Sequence, residues 1–128
     1  VKIGESDVMF TSHLDTATSA LTEVNHIFDK NIIKTDGKSI LGADDKAGVT
    51  VMMYMIKKGI PGLYYFFLGE EVGCIGSGLA SKSISDFKGK YDRIIGVQII
   101  FEAGIKFMVA VVRGSCIALA IQLISQCT

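Results

Sequence analysis

Three short stretches carry side chains that could share one chemistry: His13-Leu14-Asp15, Asp44-Asp45 and Glu70-Glu71. The middle pair sits in Leu41-Gly42-Ala43-Asp44-Asp45-Lys46-Ala47-Gly48, just ahead of the apolar segment Val49–Ile56. Adjacent carboxylates repel, so folding tolerates them only where something positive offsets the repulsion. Lys46 supplies part of that charge, and a divalent cation would supply more. Aspartate before an apolar run equally suits the start of a helix, so the pair is ambiguous until its two companions are considered.

Imidazole nitrogen and carboxylate oxygen together suit zinc, and also manganese or cobalt. His13 can bind such an ion directly. Asp15, two residues further along an extended segment, lies on the same face and can orient the imidazole through its other nitrogen. Asp44, arriving from a different strand end, can bridge two ions about 3.5–4 Å apart. Of Glu70 and Glu71, one can ligate while the other takes a proton from water that a metal has acidified to a pKa of about 7. It would then pass that proton to a leaving amine. The spacing alone does not say which glutamate does which. His26, in a polar context, reads as a surface or loop residue. Cys74 has no histidine near it in sequence and reads as buried rather than nucleophilic.

The elements that must position these residues alternate between strand and helix. Val8-Met9-Phe10 reads as a buried strand delivering His13 at its C-terminal edge, where open α/β sheets bind ligands. Leu21, Val24 and Phe28 fall at helical spacing within a mixed stretch that suits a loop equally well. Asn31–Ile40 reads as a hairpin turning at Asp36-Gly37. A helix is expected from about Asp45 to Lys58, stopped by Gly59 and Pro61, with its methionines packing the core. Leu63–Leu68 is the strongest strand signal, aromatic and bounded by glycine. A short helix over Ile75–Lys82, a polar connection over Asp86–Lys90 and a strand over Arg93–Val97 follow. In the tail, a strand at Phe107–Val112 and a buried helix at Cys116–Ser125 are expected. The pattern is α/β, with a largely parallel sheet covered on both faces.

The chain has 128 residues, 49% of them hydrophobic, with a mean hydropathy of +0.43. That is enough for one small domain with a single core, and it argues against disorder. Thirteen basic residues balance thirteen acidic ones, so charge gives no reason to expect nucleic acid or an anionic membrane as partner. Only Glu102, Lys106 and Arg113 are charged between Ile99 and Thr128. The run after Arg113 is shorter than the roughly 20 apolar residues of a membrane span, and an apolar tail on a short domain favours self-association. Three cysteines without a Cys-x-x-Cys pair suit free thiols in the cytoplasm. The first residues lack the apolar core of a signal peptide, and the absence of an initiator methionine suggests a piece of a longer chain.

Taken in order, Thr11-Ser12-His13-Leu14-Asp15-Thr16, Leu41–Gly48 and Glu70-Glu71-Val72-Gly73 closely resemble the di-zinc exopeptidases. That group includes peptidase T, the carboxypeptidase G type, and related aminopeptidases and aminoacylase-like deacylases. The resemblance covers about residues 8–98; residues 99–128 have no clear match. It implies a three-layer α/β/α domain of the zinc-exopeptidase (phosphorylase/hydrolase-like) kind, with a mostly parallel mixed sheet, here as one partial, truncated catalytic domain. It implies His13 as ligand to one metal, Asp15 as its orienting carboxylate and Asp44 as the bridging ligand, often with a cis peptide to Asp45. It implies Glu70 as general base and Glu71 as ligand to the second metal. The expected activity is zinc-dependent hydrolysis of peptide or N-acyl amide bonds, in a peptide or N-acyl amino acid substrate.

Two departures stand out. The group places a further metal-binding aspartate after the strand that follows Glu-Glu, where this chain has Gln98, a far weaker ligand. It also uses a late histidine, and none follows His26 here. The alternative expectation is therefore a catalytically incomplete domain acting in binding or assembly.

Overall fold

The computed structural model describes residues 1–18, 23–83, 90–101 and 105–113. In chain order the elements are β1 (Lys2–Ile3), β2 (Val8–His13), β3 (His26–Asp29), β4 (Ile32–Thr35), α1 (Ala43–Lys57), β5 (Gly62–Phe67), α2 (Ile75–Lys82), β6 (Arg93–Phe101) and β7 (Ile105–Arg113). Among the described residues, five strands form one mixed sheet in the order β1-β5-β2-β6-β7. Its inner three strands run parallel, and β1 and β7 close its edges antiparallel. Parallel neighbours need crossovers. The links that return the chain contain α1 between β2 and β5 and α2 between β5 and β6.

The central strand explains the arrangement. All six residues of β2 are buried, as expected where a parallel strand is covered on both faces. Val8 and Phe10 join Met52, Tyr64 and Val97 in one cluster, with Val51, Met55 and Ile56 of α1 packed against it. Phe10 and Tyr64 stack with ring centroids 5.0 Å apart. At the start of β2, the Asp7 carboxylate accepts a 2.8 Å bond from the Arg93 guanidinium, pinning the opposite end of the β2–β6 pair.

Several boundaries differ from the sequence reading. The hairpin is β3–β4, closed at Lys30-Asn31 with Asp29 opposite Ile32, and Lys30 takes a positive φ of 54°. Asp36-Gly37 lies beyond it. There Thr35 Oγ1 accepts from the Gly37 amide at 3.3 Å and Asp36 Oδ1 from the Lys38 amide at 3.0 Å. These side chains satisfy backbone groups locally and hold a loop where a ladder was expected. His26 is exposed, as expected, but on a strand.

Strand β6 continues past Val97 to Phe101, so Gln98 lies within it, paired with Met108 of β7. Strand β7 is longer than expected at both ends. Glu102 and the helix expected at Cys116–Ser125 lie outside the described residues. Helix α1 ends as expected: the Gly59 amide (φ 69°) donates to Ile56 O at 2.9 Å, and the Ile60 amide to Met55 O at 3.1 Å, a paired closure that satisfies its last carbonyls.

The methionines divide. Met52 is fully buried, whereas Met53, one residue on, is 61% exposed. Met52→Ala is expected to cost about 2–5 kcal/mol in urea denaturation, and Met53→Ala less than about 0.5 kcal/mol.

Candidate metal centre

Two parallel neighbours end together. His13, the last residue of β2, lies opposite Phe67, the last of β5, and the Leu14 amide extends the ladder to Phe67 O at 2.9 Å. The residues just beyond these ends, Asp15 on one side and Glu70-Glu71 on the other, therefore meet at one rim of the sheet. Asp15 locks the meeting. Its Oδ1 accepts from the Glu70 amide at 3.1 Å and its Oδ2 from the Glu71 amide at 3.0 Å.

The third station arrives through the loop after the hairpin. Gly42 takes a positive φ of 68°, and a Cβ there would meet the Thr16 side chain at 3.2 Å, so the chain passes close against the segment that follows His13. Asp44 and Asp45 have non-helical backbone angles, regular helix begins after them, and no side chain caps α1. The pair is thus not a helix cap. The Asp44–Asp45 peptide is cis.

Around His13 the geometry fixes a tautomer. Its imidazole is buried, and Nδ1 lies 3.1 Å from Asp15 O. A carbonyl can only accept, so Nδ1 donates to it, and in the neutral imidazole Nε2 presents a lone pair. Nε2 faces Asp44 Oδ1 at 3.4 Å. A second proton on the ring or a shared cation satisfies that facing pair. The orienting role expected of the Asp15 carboxylate falls instead to its backbone carbonyl. The carboxylate is 3.7 Å from Nδ1 and directed to the glutamate amides.

Ligand atoms of His13, Glu70 and Glu71 all lie within 4.8 Å of one another. Asp44 touches this group through His13, so of the expected ligands His13 and Glu71 come together with Glu70, the expected base. Burial pushes the Glu70 carboxyl above its ordinary range; the His13 imidazole opposes this, while Glu71, Asp15 and Asp44 add to it. Burial would raise Asp15 too, but the amides of Glu71 and Glu70 outweigh it and hold its carboxyl below the usual value. The donor set is one imidazole and several carboxylates with little positive charge nearby, and it fits a divalent cation. Lys46 turns its ammonium to neutral acceptors: it donates to Leu14 O and, at 2.8 Å, to Thr16 Oγ1.

Asp45 has a different part. It is fully buried, its Oδ2 accepts from the Ser12 hydroxyl at 2.5 Å, and burial raises its pKa despite that bond. Gly48 makes room for it: a Cβ there would fall 2.4 Å from Asp45 Oδ1 and 2.3 Å from Val97 O. The sequence reading named Ser12, Thr16 and Gly48 within the matching stretches but gave them no part in the site. The one available signal was alternation, which turns Ser12, like Val8 and Phe10, toward α1.

Register also places Gln98 and the acid just before β6, Asp92. Thr11 pairs with Gly96, so two residues on, Gln98 is level with His13. Asp92 and Arg93 sit at the other rim, where both amides donate to Asp7 O, so Asp92 cannot join the cluster. Cys74 is buried beside Glu70, with its Sγ 3.7 Å from Glu70 O. His26 is not part of the site.

Set beside known proteins, the chain is 39% identical over 84 residues to the uncharacterized protein YqjE of Bacillus subtilis (strain 168), an alignment that covers 60% of this chain and 22% of the relative. The chain thus spans about a fifth of that relative's length. No family model matches it, and no solved structure gives a significant match.

Replacing Asp15 by Asn would set an amide group against one of the two donors it now accepts from. A loss of about 1–3 kcal/mol is expected in urea denaturation of chelator-treated protein. Because the folded carboxyl is depressed, its contribution is present above its unfolded pKa of about 3.9 and is lost as pH falls through the lower folded value. The deficit of the variant should therefore shrink below about pH 4.

Proposed function

We propose that this chain is the metal-binding part of a zinc-dependent hydrolase that, in its complete form, cleaves peptide or N-acyl amide bonds in the cytoplasm. The observation that carries the reading is the convergence of His13, Glu70 and Glu71, with Asp44 against the imidazole, at the C-terminal rim of a sheet. His13 Nε2, Asp44 and Glu71 would hold the ion; cobalt or manganese suits the same donors. When bound, such an ion supplies Lewis acidity, polarising a carbonyl and acidifying water.

The chain's own residues supply the rest. Asp15 O fixes the tautomer in which Nε2 is free to ligate. The Asp15 carboxylate sets the position of Glu70 and Glu71 through their amides. Glu70, its pKa raised by burial, is suited to take a proton from water and return it to the leaving amine, since a base tuned upward towards neutrality is the more effective. No helix among the described residues is long and apolar enough to cross a membrane.

Gln98 favours a second reading, a binding or assembly domain that keeps the arrangement without turnover. It is level with His13 on β6, the strand after which the resemblance expects a carboxylate. Metal content tests the part given to Gln98. After zinc loading and dialysis, elemental analysis is expected to find fewer than two equivalents, and Gln98→Asp is expected to raise that number. Two tightly held ions in the unaltered chain would contradict the assignment of Gln98.

In the complete protein, Glu71→Gln should lose metal. Glu70→Gln should keep it while kcat falls about 10²–10⁴-fold. Loss of metal from Glu70→Gln would make Glu70 a ligand and leave the base unassigned, and unchanged turnover would exclude it as base.

A further inference from the structure

Beside the carboxylate cluster runs a cleft of about 560 Å³ between helix α1 and the β3–β4 hairpin. Phe28 and Ile33 line it from the hairpin, and Lys46, Ala47 and Val51 from the helix. Its volume is within the range of small-molecule sites, which are mostly apolar with a few polar groups. From Lys46 to Val51 the helical wall is roughly 8 Å long at 1.5 Å per residue.

The cleft adjoins the candidate metal centre: Ala43, which lines it, is bonded to Asp44, whose Oδ1 faces His13 Nε2 at 3.4 Å. Gly42 and Ala43 form its near end, directly before Asp44. Gly42 lies against Thr16, and Lys46 reaches across to Leu14 O and Thr16, the segment between His13 and the end of the site. Among the described residues that line it, Lys46 brings a positive charge and no side chain brings a negative one. Phe28 and Ile33 are 76% and 53% exposed, so apolar surface on this wall faces water and would be covered by an occupant.

We infer that this cleft receives the apolar side chain or acyl group of the substrate whose amide bond lies at the carboxylate cluster. It selects substrates with a bulky aliphatic or aromatic group there and disfavours those carrying a cation. The inference rests on the hydrolase reading for the identity of the occupant. Binding in the cleft does not require the metal, because no residue lining it is a candidate ligand.

Calorimetric titration of the chelator-treated chain with three amides tests it: N-acetyl-leucine amide, N-hexanoyl-leucine amide and N-(6-aminohexanoyl)-leucine amide. The hexanoyl compound should bind on the order of 10–100-fold more tightly than the acetyl one, from the apolar area it buries, and the amino-terminated chain should lose that gain. Thr50→Trp fills the outer wall and should remove the preference. Phe28→Asp, at a position already exposed, should weaken it as well and covers the case in which the tryptophan disturbs the helix.

Equal binding of the acetyl and hexanoyl amides, or a preference unchanged in both variants, would overturn the proposal. A preference that both variants abolish, in a complete protein that hydrolyses none of the amides when loaded with zinc, would uphold the cleft and refute the hydrolase.

Discussion

The Asp15 carboxylate, accepting two main-chain amides from the turn after β5, is the joint on which the site depends. Strand pairing brings the ends of β2 and β5 side by side, but pairing stops at Leu14. Beyond it, nothing in the ladder would keep two glutamates next to a histidine. One carboxylate bonded to both amides does so, and the same residue's carbonyl sets the imidazole. A single side chain thus fixes a backbone turn, and its own peptide fixes a tautomer.

The price of this convergence is charge repulsion, and each acid meets it differently. Asp15 is stabilised as an anion by amide dipoles. Asp45 is sequestered in the core with a serine hydroxyl, and burial raises its pKa. Glu70 lies between these, desolvated yet facing an imidazole. Asp44 stays partly in water. Similar carboxylates therefore have different proton affinities within one small region, which is the condition for dividing ligation from proton transfer.

Much of this was legible in the sequence because it is written in local pattern. Continuous apolar runs gave β2, β5 and the start of β6, and glycines bounded them. The rim location of His13 and Glu70-Glu71 followed from their places after such runs. What escaped was whatever depends on partners distant in the chain. The Asp-Gly pair looked like a hairpin turn, yet Thr35 and Asp36 bond the neighbouring amides and the turn falls at Lys30-Asn31. Strand β6 outruns its expected end because β7 pairs with it as far as Phe101, a contact no local pattern announces. Which Asp15 oxygen meets the histidine, and that Lys46 turns towards Leu14 and Thr16, are likewise set by tertiary geometry.

Helix α1 approaches the sheet without a side chain between them at Gly48, so main chain rests almost on main chain beside Val97. Farther along, Met52, Met55 and Ile56 act as spacers whose shapes can change. The helix is therefore seated by a hard stop at one end and by deformable padding at the other. Repacking of the padding can tilt the far end while the acids just ahead of the stop keep their station, which lets the interior vary in composition without retuning the chemistry at the rim.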